Sequence, residues 1–174
     1  MTEAVPRHDL RSSIRHGGGD GDTARVLLVI GDGTEVLDTM GPYYRLGEEY
    51  AVSLAAPEVD SYNTVIHELT PGWDVTVEKP GYRLESDIAF RDVDPSDFVA
   101  LVLPGGRAPE YLRYDEDLLR ITCHFFERDK PVASICHGIE ILGVAGVLKG
   151  RRATTIPKCR FDIEVCGGEY VDEA

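Results

Sequence analysis

The chain has 174 residues and a formal net charge of −13, with 43% hydrophobic residues. That length suits one domain with a sizeable core. The acidity argues against nucleic acid and anionic membrane surfaces as partners, and no apolar run approaches the roughly 20 residues of a membrane span. The N-terminus lacks the charged-then-apolar layout of a secretory signal, so a cytoplasmic setting is expected. The cysteines are Cys123, Cys136, Cys159 and Cys166. They form no C-x-x-C pair and have no zinc-like spacing to a histidine, so no metal site is expected. Reduced thiols are expected in this setting.

Residues 1–24, with HGGGDGD and scattered arginines, read as a disordered arm. RVLLVI, from Arg25, is a continuous branched apolar run and predicts a strand buried on both faces. GDGTE follows as a loop. Helical spacing runs from about Val36 to Tyr50, interrupted by Gly41-Pro42, which predicts a kink. AVSLAA predicts a second buried strand. Residues 57–92 read as irregular, with turns at Pro71-Gly72 and Pro80-Gly81 and short strands between.

FVALVLP predicts a third buried strand, ending in PGGRAPEYL. Asp115 to Arg128 is an amphipathic helix with acids in its first turn, where the macrodipole favours them. PVASIC is a fourth strand, GIEILGVAGVL an apolar helix, and Gly150 lies just past its end. ATTI and EYV read as short strands around a helical stretch near Phe161–Val165. Strands alternating with helices imply an α/β fold, a mostly parallel sheet with helices on both faces. Ligands then bind at the carboxyl ends of the strands. GDGTE, PGGRAPE and CHG all lie at such ends.

Cys136 ends a strand and is followed at once by His137-Gly138 and an apolar helix. A sharp turn there would expose the thiol above the sheet, with a helix N-terminus to favour a thiolate. The same residues also suit a buried cysteine that ends a core strand. Glu35, with Asp32 and Asp38 close by, offers a carboxyl to share or shuttle a proton; it equally suits a helix cap. Gly105 and Gly106 can bring backbone N–H groups close to a reacting oxygen, together with that of His137, or form only a tight turn. His137 could fold beside the sulfur and would then need an orienting carboxylate, for which Glu110 is a candidate.

ALVLPGGRAPEYL, KPVASICHG and AGVLKGRRAT together resemble the DJ-1/PfpI family of class I glutamine-amidotransferase-like proteins, over residues 25–174. The resemblance implies a flavodoxin-like three-layer sandwich and a reactive cysteine at the elbow, Cys136. It pairs that cysteine with an acid after the first strand, Glu35. In the PfpI branch it implies a Cys-His-Glu triad completed across a subunit interface, matched by Cys136, His137 and Glu110, in homodimers or hexamers. TVIHE and VEKPGY are similar to segments of plant-type DJ-1 glyoxalases, which implies a substrate-site role for His67. Relatives carry a further strand and helix after the segment matching GGEYVDEA, so exposed apolar sheet surface is expected where this chain stops. Ile156 stands where some relatives have a tyrosine. The activity implied first is a glutathione-independent glyoxalase or deglycase acting on 2-oxoaldehydes such as methylglyoxal, without cofactor or metal. In it, Glu35 and His137 would move protons between the two carbons. Alternatives are a PfpI-type cysteine peptidase or amidase, and a redox-sensing stress protein or holdase whose Cys136 oxidises.

Overall fold

The computed structural model describes residues 23–173. All but the last two positions of the arm expected over residues 1–24 lie outside them. The elements in chain order are β1 (Arg25–Val29), α1 (Val36–Gly47), β2 (Ala51–Ala56), β3 (Ser61–Leu69), β4 (Thr76–Glu85), β5 (Ile88–Ala89) and β6 (Ala100–Leu103). They continue with α2 (Pro109–Leu112), α3 (Glu116–Glu127), β7 (Val132–Ser134), α4 (Ile139–Val144), β8 (Arg152–Ala153), α5 (Arg160–Val165) and β9 (Glu169–Tyr170). Five strands form one parallel sheet in the order β5-β2-β1-β6-β7. The central position of β1 explains its unbroken apolar sequence, because both of its faces are covered.

The two faces divide by the period of two that a strand imposes. Leu27 and Val29 of β1 join a core with Leu118, Ile121 and Phe125 of α3 and Ile139, Ile141 and Leu142 of α4. Val26, Leu28 and Ile30 belong to the other core, against which Met40, Tyr43 and Leu46 of α1 pack. Helices thus cover both faces of a mostly parallel sheet. α3 starts where its sequence signals it should: Asp115 Oδ1 accepts from the Leu118 N–H at 2.9 Å, with Glu116 and Asp117 in the first turn.

Three elements differ from what the residue pattern predicts. Much of the stretch expected to be irregular forms a long antiparallel ribbon, β3 against β4, with His67 opposite Glu78. Pro71-Gly72 lies in its turn, but Pro80-Gly81 lies inside β4. The register shifts between Asn63 and Val65, and Val65 pairs with Pro80 beside that irregularity, where a proline is tolerated. α1 runs through Pro42 as one helix to Gly47. α4 ends at Val144, sooner than its apolar sequence suggests, and Gly146 follows at φ 71°. That left-handed glycine stops the helix.

The ribbon lies against the end of β1. Gly33 N–H donates to Asn63 O at 2.7 Å, and Val65 N–H donates to Thr34 O at 2.9 Å. This seats His67 and Glu78 beside the loop that follows β1.

Phe125 is fully buried between α3 and the sheet. Phe125→Ala is expected to destabilise the fold by about 3–5 kcal/mol, read as a lower midpoint in urea unfolding.

Candidate active site

Three loops meet at the carboxyl end of the sheet. Glu35 N–H donates to Gly105 O at 3.2 Å, and Arg107 N–H donates to Gly33 O at 2.8 Å, which ties the loop after β1 to the loop after β6. Ile135 N–H donates to Leu103 O at 3.0 Å, which ties the turn after β7 to the same place. GDGTE, PGGRAPE and CHG therefore form one cleft.

Cys136 has φ 51°, and among the described residues only Asp129 shares a positive φ without being glycine. Such a conformation costs about 1–3 kcal/mol in a non-glycine residue and persists only where surroundings enforce it. The enforcing contacts are visible. A Cβ on Gly138 would collide with the Leu103 carbonyl oxygen, and one on Gly105 would lie 2.6 Å from Cys136 Cβ. The Thr155 hydroxyl donates to the Cys136 carbonyl at 2.6 Å. The sequence carries no local signal for that last bond, since Thr155 lies in another loop.

Around the half-buried sulfur, His137 Nδ1 lies 3.2 Å from Cys136 Sγ. The backbone N–H groups of His137 and Gly106 are directed at the same sulfur. The Gly105 N–H is engaged elsewhere, donating to Asp38 Oδ2 at 3.2 Å. Gly106 and His137 are thus the donors that face the sulfur, while Gly105 supplies clearance and holds Asp38.

The acids divide their tasks. Glu35 is buried and caps α1: its Oε2 accepts from the Asp38 N–H at 2.8 Å, and its Oε1 accepts from the His67 N–H at 3.5 Å. Asp38 is the carboxyl whose charge bears most on the sulfur. Burial, then the charge of Glu35, pushes Asp38 up to about 6. Burial, then the Asp38 charge, in turn pushes the Cys136 thiol up, against the two N–H donors and Lys158. The thiol is therefore not a resting thiolate, contrary to the expectation from a helix N-terminus. His137 is pushed down by burial and then by Lys158, so it stays neutral and can accept a proton.

A second network lies beside the first. His67 Nε2 is 3.3 Å from Glu78 Oε1, which also accepts from Arg107 Nη1 at 3.2 Å. Arg107 grips both oxygens of Glu110, Nε to Oε1 at 2.5 Å and Nη2 to Oε2 at 3.0 Å. Within the chain Glu110 is thus held by Arg107, not hydrogen-bonded to His137, although its charge still acts on that imidazole. Arg107 and Glu78 complete this network, and the sequence pattern does not mark them individually, though they lie in the segments PGGRAPE and VEKPGY. The four cysteines are free thiols.

These charges make a measurable prediction. Asp38→Asn removes a charge that raises the Cys136 thiol, so the pH midpoint for alkylation of Cys136 by iodoacetamide should fall. Lys158→Ala removes a charge that lowers it, so that midpoint should rise. Mass spectrometry of the Cys136 peptide reads both.

Comparison with known proteins agrees with this architecture. The chain is 41% identical over 152 residues to "Deglycase TK1284" of Thermococcus kodakarensis, covering 85% of this chain and 81% of that protein. It is 39% identical over 156 residues to "Protein DJ-1 homolog D" of Arabidopsis thaliana, covering 87% of this chain and 40% of that one. Among solved structures, a two-domain protein from Anabaena variabilis with DJ-1/ThiJ/PfpI-like and ferritin-like domains superimposes with a TM-score of 0.73 at 24% identity, over 87% of this chain and 40% of that chain. That likeness bears on the fold. The DJ-1/PfpI family pattern matches residues 24–174, and with these relatives it establishes that the chain belongs to the DJ-1/PfpI family.

Proposed function

We propose that the protein is a thiol-dependent enzyme of the glyoxalase and deglycase type, acting on 2-oxoaldehydes such as methylglyoxal and on the early adducts they form with amines. The observation that carries this reading is the arrangement around Cys136: a thiol on a left-handed elbow, a neutral imidazole nitrogen 3.2 Å away, and two N–H donors aimed at the sulfur. The deglycase name of the Thermococcus relative supports it.

In the first step His137 Nδ1 accepts the Cys136 proton as the sulfur adds to the aldehyde carbon, giving a hemithioacetal. The N–H groups of Gly106 and His137 hold the oxygen. A carboxylate then takes the proton from the aldehyde carbon and returns one to the neighbouring carbon, which leaves a thioester. Water releases the 2-hydroxy acid and restores the thiol, so that methylglyoxal plus water gives lactate. Asp38 suits the shuttle, because a carboxyl near 6 can both take and give a proton close to neutrality. Glu35, bound to two backbone N–H groups, sets the charge around Asp38.

Two observations weigh against the alternatives. A peptidase needs the Glu110 of a neighbouring copy on His137, and Glu110 is engaged in a two-pronged ion pair with Arg107 of its own chain. A peroxide sensor needs a low thiol pKa, and burial with Asp38 raises that of Cys136.

Methylglyoxal loss without glutathione tests the reading. Cys136→Ser should abolish it, and Asp38→Asn should slow it by about 100-fold or more. A well-folded wild type with no turnover overturns the proposal. The pH profile adds a separate check. Asp38 loses its proton as pH rises through about 6, and burial, then Lys158, pushes His137 below its ordinary value and so favours its neutral form. Wild-type kcat should therefore rise through about pH 6, and Asp38→Asn should lack that step.

A further inference from the structure

Beside the nucleophile lies a donor cluster that shares His137 with the proposed chemistry and adds two groups, Glu140 and Cys159, that this chemistry does not use. The side chains of His137, Glu140 and Cys159 each offer a ligand atom, and these atoms lie within 4.8 Å of one another. We propose that they form a binding site for a borderline-soft divalent cation, Zn²⁺, whose occupation withdraws His137 from Cys136 and so silences the thiol. The second half of this statement rests on the function proposed above; the site itself does not.

The donor set is nitrogen, oxygen and sulfur, the combination that zinc prefers over magnesium or calcium. Tetrahedral zinc with ordinary bond lengths places such donors about 3.3–3.6 Å apart, so the three need close by no more than about 1.5 Å. His137 and Glu140 stand three residues apart on one helical turn, which faces both toward the same side. Cys159 arrives from the turn before α5 and is buried. The sequence hides this because the third donor comes from a different segment.

The surroundings support a cation. Arg113 Nη1 donates to Glu140 Oε2 at 2.9 Å, which fixes the carboxylate and leaves its second oxygen for the ion. The Asp162 carboxylate acts on all three donor groups. Lys158, exposed, is the opposing charge on His137. Three protein donors leave a fourth position for water. Binding transfers the Cys159 thiol proton to solvent and forms a zinc–thiolate bond, with no change in oxidation state.

The test uses the full chain and Zn²⁺ in competition with a chromogenic chelator. Wild type should bind one equivalent. Cys159→Ala and Glu140→Gln should each weaken binding by about tenfold or more, and Cys136→Ser should retain it. With Co²⁺ instead, a thiolate-to-cobalt charge-transfer band should appear in wild type and Cys136→Ser and vanish in Cys159→Ala. Zn²⁺ should suppress methylglyoxal loss by wild type, reversibly on adding chelator, and should leave Glu140→Gln far less inhibited. Equal binding by wild type, Cys159→Ala and Glu140→Gln overturns the site, as does loss of the cobalt band in Cys136→Ser. A protein that consumes no methylglyoxal but shows these binding results would overturn the proposed function and leave the metal site standing.

Discussion

Cys136 can hold its left-handed backbone only because the chain behind it comes closer than any side chain would allow. Gly138 lies against the Leu103 carbonyl, and Gly105 lies against the Cys136 side chain. Those two contacts bring β6, β7 and the start of α4 to one point. Everything else at the cleft follows from that convergence. The N–H groups of Gly106 and His137 aim at the sulfur because the two loops are packed at backbone distance. Glu35 and Asp38 join them because both are bonded to Gly105.

The electrostatics of the cleft oppose a free charge on the sulfur. Burial first, and the nearby charge of Glu35 second, hold the Asp38 carboxyl above its ordinary range. Its charge, when present, falls in turn on Cys136. A site arranged this way keeps its proton until a base and an electrophile are both present. In the proposed reaction the neutral His137 is that base. In that reaction the thiol keeps its proton until a carbonyl is at hand.

Much of this was legible in the sequence, and what was not had a physical reason. The central strands announced themselves because burial on both faces demands unbroken apolar residues, as in RVLLVI and FVALVLP. The elbow was legible as one of two readings, because a cysteine set directly between an apolar strand and a glycine-led helix suits either a sharp turn or the buried end of a core strand. The ribbon was not, because its pairing joins residues far apart in sequence and tolerates Pro80 at a register irregularity. Nor could spacing assign the tasks of Glu35 and Asp38. Both lie at the start of α1, and only the packing of Gly105 decides which carboxyl turns toward the sulfur. Arg107 was hidden behind the two glycines that precede it, though it governs where Glu110 points.

The Thr155 hydroxyl that holds the Cys136 carbonyl comes from a segment made after the elbow itself. So does Lys158, which offsets part of the cost of charging the sulfur. A chain emerging from the ribosome thus completes its sheet strands before the pieces that lock the thiol in place. The backbone of the elbow is thus fastened by a segment that follows it in the chain. A partly made chain that lacks this segment accordingly lacks both the Thr155 bond and the Lys158 charge at the elbow.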